Sequence, residues 1–269
     1  MKGDGGRMEF GICSGPPGRD RANMLRAAGC DYYEPMVAGA IMAKGSSDFD
    51  TSVDEWHAGG LEPKSANVLL PGRLKIVGPD ADPEELRAYL TEAMRRAQLL
   101  GTETVVFGSG TARAVPDGFP RDDAYAQLKQ AVRLACGLAG PGTLVCLEHL
   151  RRAETNIVNR LAEAGAIVEE LGLANLALVV DGYHLAEENE DVSVVRQVAG
   201  NVAHVHVCGP ARRPPGESDV DRMAALFEQL VCIGYEGRCS IECNFSDVEA
   251  EAPAALAAVR RAAGVAGLA

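Results

Sequence analysis

Leu176-Ala177-Leu178-Val179-Val180-Asp181-Gly182-Tyr183-His184 is the stretch on which the fold turns. Its five apolar residues are too few for a helix and carry no polar alternation. Such a run suits a strand covered on both faces, the condition of a parallel sheet flanked by helices. An acid closes the run, and a histidine follows three residues on. Runs of the same kind occupy residues 8–13, 32–37, 66–70, 104–107 and 143–147 before it, and 202–207 and 238–241 after it. With residues 176–180 they make eight predicted strands.

Helical periods fill the gaps. Asp82-Pro83-Glu84-Glu85 offers a capping side chain and a proline for a first turn. Leu86, Leu90, Ala93, Ala97 and Leu100 then mark one face, and Gly101 ends it. Residues 155–171 repeat the pattern through Ile157, Leu161, Ala164, Val168 and Leu171, again stopped by glycine, and residues 219–230 and 249–263 do so later. Eight strand–helix units in 269 residues average about 34 residues each, which is what a βαβ repeat requires. No linker or low-complexity stretch divides the chain. The expectation is therefore one domain over residues 1–269, an α/β fold of the (β/α)8 TIM-barrel type. A doubly wound open sheet is the alternative. It loses ground at Ser14-Gly15-Pro16-Pro17-Gly18, where the first strand–helix turn lacks the GxGxxG phosphate cradle and two prolines remove backbone donors.

Composition narrows the function. An apolar share of 47% with 24% charged residues excludes a disordered, collagen-like or fibrous chain. A net charge of −12 argues against affinity built on nucleic-acid phosphates, which needs a basic field. No apolar run approaches the roughly 20 residues that cross a bilayer. Residues 1–7 are polar and Gly-rich, which predicts no signal peptide. Of the eight cysteines, Cys136, Cys146, Cys208, Cys232, Cys239 and Cys243 lie in or beside apolar runs, and no CxxC pair occurs. They are expected to be buried small hydrophobes in a reducing cytoplasm.

Charges fall at the ends of the predicted strands. Residues 143–147 run into Glu148, residues 176–180 into Asp181 and residues 238–241 into Glu242, while residues 202–207 carry His204 and His206 on one face by the period-two rule. In a barrel the C-terminal strand ends surround one mouth, where active sites lie. Glu148, Asp181, His206 and Glu242 recur at spacings of 33, 25 and 36 residues, so four consecutive strands aim at one point. Three oxygen donors and one nitrogen, with no thiolate, suit a hard or borderline divalent ion such as Mn²⁺, Mg²⁺ or Co²⁺, with Zn²⁺ also open.

Leu147-Glu148, Asp181-Gly182-Tyr183-His184, His204-Val205-His206 with Arg212 and Gly216 behind it, and Tyr235-Glu236-Gly237 leading to Ile241-Glu242 resemble the xylose-isomerase-like TIM barrels. The branch they resemble holds sugar and sugar-phosphate isomerases and epimerases related to D-tagatose and D-psicose 3-epimerase. Val106-Phe107-Gly108-Ser109-Gly110 is similar to that branch's fourth strand end. The resemblance implies one divalent ion, Mn²⁺ foremost, held by Glu148, Asp181, His206 and Glu242. It implies that Glu148 and Glu242 are the catalytic base and acid, and that Glu154, His184 and Arg212 contact substrate. His204 matches the second histidine of the pair, a supporting residue rather than a ligand. Three departures bear on substrate rather than metal. His149 stands where the family often has proline or a small apolar residue, Arg151 where asparagine is common, and Gly182 where threonine or serine is common.

The implied chemistry is removal of a proton beside a carbonyl through an enediolate. Return on the opposite face gives epimerisation, and return to the neighbouring carbon gives isomerisation. The implied partner is a small sugar or sugar phosphate, with no nucleic acid or membrane and with a homo-oligomer left open. Three rivals use the same barrel. A lyase or dehydratase on a keto-sugar or keto-inositol begins with the same proton abstraction, and a non-catalytic sugar-binding subunit would keep only the fold. An endonuclease of the apurinic-site type needs histidines beyond the five present, His57, His149, His184, His204 and His206. Several residues stay open. Glu34 is either a substrate contact or a loop charge, and Arg19, Arg73 and Arg113 are candidates for a phosphate. Residues 46–60, with Phe49, Trp56 and His57, form either a lid or a surface loop packing one tryptophan.

Overall fold

A computed structural model of the chain describes residues 8–43 and 45–268. The first half runs β1 (Glu9–Cys13), α1 (Gly18–Ala27), β2 (Tyr32–Glu34), α2 (Ser46–Asp50), α3 (Val53–Trp56), β3 (Ser65–Ala66), α4 (Pro83–Leu99) and β4 (Thr104–Phe107). After α5 (Gly110–Arg113) and α6 (Arg121–Leu138) come β5 (Leu144–Glu148), α7 (Leu161–Leu171), β6 (Leu176–Asp181) and α8 (Gly182–Glu187). The chain closes with β7 (Val202–Val207), α9 (Val220–Cys232), β8 (Arg238–Ile241) and α10 (Val248–Ala266).

All strand pairings are parallel, in the order β2-β1-β8-β7-β6-β5-β4-β3. The two end strands meet through a parallel bridge between Met36 and Asn67, with Val37 N–H donating to the Asn67 carbonyl at 2.7 Å and Asn67 N–H to that of Pro35 at 3.0 Å. The sheet is thus a nearly closed (β/α)8 barrel, and the open-sheet alternative is excluded.

Strand parity decides which side chains enter the barrel. In β6, Leu178 and Val180 join the large core shared with the helices, while Ala177 and Val179 belong to a separate inner cluster with Val106 and Cys146. Even positions of β5, odd positions of β6 and even positions of β8 therefore point inward. One irregularity matters. Leu178 pairs with Val202 but Val179 pairs with His204, so Ala203 is a bulge that restores the inward phase for His204 and His206. The helices follow their signals where those were strong. Asp82 caps α4, its Oδ1 accepting from Glu84 and Glu85 N–H at 2.9 and 3.1 Å, and Gly101 takes a left-handed φ of 68° just beyond.

Four expectations need correction. The second strand stops at Glu34, and Val37–Ile41 is a π-helical turn. The third shrinks to Ser65–Ala66, and Val68 leaves the barrel wall with φ at 48°. The helix expected from residue 155 starts at Leu161. Before it, Asn159 Nδ2 donates to the Leu150 and Thr155 carbonyls at 2.7 and 2.9 Å, and Val158 takes φ of 57°, so side-chain bonding holds this segment as a loop. Finally, Cys232 is exposed and Cys243 half-buried, although all eight cysteines are free thiols.

Residues 46–60 are not a bare loop. Phe49 and Trp56 are buried on α2 and α3 with ring centroids 5.8 Å apart, and Tyr33 Oη donates to the Trp56 carbonyl at 2.7 Å. Among the described residues no helix is long and apolar enough to cross a membrane.

Candidate active site

Inward parity at the C-terminal strand ends gathers the predicted donors. Single ligand atoms of Glu148, Asp181, His206 and Glu242 all lie within 4.8 Å of one another. His206 Nδ1 is 3.3 Å from Glu148 Oε1 and 3.7 Å from Glu242 Oε2. Asp181 Oδ1 accepts Tyr183 N–H at 2.7 Å, capping α8, while its buried Oδ2 accepts no hydrogen bond among the described residues. His184 Nε2 lies 3.3 Å from that oxygen and Arg212 Nη2 lies 3.7 Å from it. Gly108 leaves the space that the Glu148 carboxylate occupies, for a Cβ there would collide with Oε2.

The electrostatics describe a cluster short of positive charge. Burial pushes the Glu148 carboxyl up, and the neighbouring Glu242 pushes it further against the pull of His206. Burial would raise Asp181 too, but His184, Arg212 and His206 hold it below the usual carboxylate range. His206 is held well above its ordinary value despite burial, chiefly by Glu34 and Glu242. Three buried or half-buried carboxylates around one imidazole, with one carboxylate oxygen accepting no hydrogen bond among the described residues, fit a divalent cation of the oxygen-preferring kind.

The expected substrate contacts stand on the rim of this cluster. Arg212 pairs with the Glu242 carboxylate through Nη1, lies 3.7 Å from Glu154 Oε1 through Nη2, and stacks over the Tyr183 ring at 4.6 Å. Ala211 and Arg212 hold φ near 55°, a left-handed pair costing on the order of 1 kcal/mol per residue, which turns the guanidinium into the mouth. Arg151 covers the same ring at 5.0 Å, binds Glu154 at 2.9 Å, and donates its N–H to His184 Nδ1 at 3.2 Å. Arg151 thus ties the two contacts together from the position where the family more often has asparagine. His149 is wholly buried behind His184, with ring centroids 6.0 Å apart, and burial pushes it down to about 3. Arg213 is spent on a bidentate pair with Asp219 at 2.7 and 2.9 Å.

Sequence reasoning missed two residues and left a third undecided. Asn67 is buried and donates Nδ2–H to Glu242 Oε1 at 2.9 Å, so both oxygens of Glu242 are held, one by Asn67 and one by Arg212. Its signal was a polar residue inside an apolar run. Tyr32 was read only as strand, yet its Oη lies 2.7 Å from Ser240 Oγ beneath the mouth. Glu34 is neither a loop charge nor a rim residue: it is wholly buried under His204 and His206. The three arginines considered for phosphate do not converge. Arg113 is wholly buried, Arg73 pairs with Glu85 at 2.9 Å on the surface, and Arg19 is exposed on α1. A cleft of about 1350 Å³ opens at the other end of the barrel, but its charges neutralise one another, Glu9 with Lys64 and Arg238, and Arg238 with Glu103.

A parallel (β/α)8 barrel with three carboxylates and a histidine converging at its C-terminal mouth belongs to the class of barrels that gather their functional side chains at the C-terminal strand ends. Within that class the chain belongs to the xylose isomerase-like TIM barrel family, whose model matches residues 24–262. Over 108 residues it is 32% identical to an L-ribulose 3-epimerase of Mesorhizobium japonicum, a stretch covering 40% of this chain and 36% of that one. Over 117 residues it is 33% identical to the 3-dehydro-D-guloside 4-epimerase of Escherichia coli, covering 43% of each chain. The matched stretches thus span less than half the length of these curated relatives. The solved structure of an L-ribulose 3-epimerase shares the fold, with a TM-score of 0.78 at 23% identity over 97% of this chain and 96% of that one.

Proposed function

We propose that this protein is a divalent-metal-dependent epimerase or isomerase of a sugar or sugar phosphate, working in the cytoplasm as a single barrel domain over residues 1–269. The observation that carries the reading is the convergence of Glu148, Asp181, His206 and Glu242 within 4.8 Å at one mouth. These four residues would hold the ion, Mn²⁺ foremost. When bound, it supplies positive charge against the negative charge that develops on the substrate's oxygens as a proton leaves the adjacent carbon. Sugar epimerases among the relatives support the reaction class, and eight free thiols support the compartment.

The protein's own groups divide the remaining work. Glu148 ends β5 and Glu242 follows β8, with β6 and β7 between them, so the two carboxylates reach a bound sugar from different sides. One removes the proton and the other returns one, a contribution of about 10²–10⁴-fold. His184, Arg212 and Glu154 orient the substrate's hydroxyl and carbonyl oxygens, and the Arg151–Glu154 pair keeps that rim in place. Incubation of ketoses and their phosphates in D₂O with Mn²⁺, followed by NMR, tests the reading. Deuterium should enter the carbon beside the carbonyl, and chelation should stop it. No incorporation into any of them would overturn the proposal, and a dehydrated product would replace it with a lyase.

A further inference from the structure

Glu34, the last residue of β2, is wholly buried, and none of the steps above uses it. It nevertheless gathers three donors. Its Oε1 lies 3.0 Å from His206 Nε2, its Oε2 lies 2.8 Å from His204 Nε2, and Ser240 Oγ donates to Oε2 as well. Tyr32 Oη stands 2.7 Å from that Ser240 oxygen, so β2, β7 and β8 are linked beneath the mouth. An ionised carboxylate can only accept, so the hydrogens of these contacts sit on both Nε2 atoms. A histidine must be neutral to ligate a metal, and one that then keeps its proton on Nε2 presents a bare lone pair at Nδ1. In His206, Nδ1 is the nitrogen that faces Glu148 and Glu242.

We propose that Glu34 is the positioning residue of His206: it fixes the ring's orientation and its tautomer, so that Nδ1 is the nitrogen offered to a divalent ion. The inference rests on the metal-dependent reading of the site and adds to it a carboxylate outside the Glu148, Asp181, His206 and Glu242 set. Ligand histidines commonly donate their second N–H to such a group, and its loss costs about 10–100-fold in metal affinity.

Glutamine at position 34 discriminates this role from simple packing, because it keeps the shape but offers one acceptor and one NH₂. If the NH₂ faces His206, Nε2 must accept, and the proton moves to Nδ1, where it blocks the ligand position. If it faces His204 instead, that ring must protonate Nδ1, a buried atom with no hydrogen-bond partner among the described residues. Either arrangement disturbs a network that the carboxylate satisfies. Aspartate keeps the charge but falls one methylene short.

The full chain, labelled with ¹⁵N-histidine, carries five histidines, few enough to assign by substitution. Long-range ¹H–¹⁵N spectra with Mg²⁺ should show His206 protonated at Nε2, with the metal-dependent shift on Nδ1. By calorimetry with Mn²⁺, Glu34→Gln should bind at least about 10-fold more weakly than wild type, and its His206 proton should be displaced. Glu34→Asp should recover part of the affinity. Equal Mn²⁺ affinity and an unchanged His206 tautomer in Glu34→Gln would overturn Glu34's role while leaving the metal reading intact. A wild type that takes up no Mn²⁺ would overturn the metal reading itself. Should Glu34→Gln fail to fold, the wild-type spectrum decides: a proton on Nδ1 with the metal shift on Nε2 refutes the proposal.

Discussion

Gly108→Ala adds one methyl group to the barrel mouth and tests whether the position of Glu148 matters. A Cβ built at Gly108 intrudes on Glu148 Oε2 by about 0.8 Å relative to the 3.0 Å below which such contacts essentially never occur. The other neighbour, Leu150 Cδ2, is at an ordinary 3.6 Å, so the carboxylate is the group that must yield. The backbone is no obstacle, because Gly108 is not among the positive-φ residues and alanine fits its conformation. The global fold should therefore hold, with thermal stability unchanged or raised by a few tenths of a kcal/mol through the less flexible unfolded chain. Activity should not hold. A displacement on the order of 1 Å of a catalytic group costs about 10²-fold, which is about 2.7 kcal/mol of barrier. Turnover in the deuterium-exchange assay, with circular dichroism as the folding control, measures both. A folded Gly108→Ala protein that turns over like wild type would refute the placement of Glu148 at the reacting carbon.

Three further outcomes are expected. Asp181→Asn should lower bound metal sharply from about one equivalent, read by elemental analysis of the purified protein, since the amide replaces a charged donor with a neutral one; unchanged occupancy would remove Asp181 from the ligand set. Glu148→Gln and Glu242→Gln should each keep appreciable metal while losing at least about 10²-fold in turnover; wild-type rates with full metal would leave both glutamates as ligands only. The third concerns acid. His149 has its folded pKa depressed by burial to about 3, against an ordinary 6.5, so the folded state favours the neutral ring. The unfolded chain takes up the proton first, and stability falls as pH drops from 6.5 towards 3, by up to about 1.4 kcal/mol per pH unit. His149→Phe removes that titration. Stability of the metal-free variant, from urea unfolding, should therefore decline less steeply than wild type between pH 6 and pH 4. Parallel slopes would count against a buried neutral His149.

What the sequence disclosed and what it hid follow from the same geometry. A strand end in a barrel is legible when its run is apolar throughout and its last residue is charged, because burial on both faces leaves only the mouth for the charge. Glu148, Asp181 and Glu242 satisfy that rule, and His206 follows from period-two alternation once Ala203 is absorbed as a bulge. Glu34 satisfies it as well, closing Tyr32-Tyr33-Glu34, but the apolar residues after it extend the predicted strand to Val37, and an acid at that strand end reads equally as a substrate contact or a loop charge. The same ambiguity lengthened the third strand. Leu69 and Leu70 are apolar because they pack against the core, and Asn67 stands before them because its amide reaches Glu242. Apolar content reports burial and cannot say whether the backbone is still in the sheet. The shortened strands are those whose ends Met36 and Asn67 bridge to close the barrel. At that seam Glu34 and Asn67, one on each side, reach inward to His206 and Glu242, so the residues hardest to read locally are the ones that hold two of the proposed ligands in place. A polar residue inside an apolar run is a local inconsistency, and here two of them lie where the chain's local preferences give way to the needs of the site.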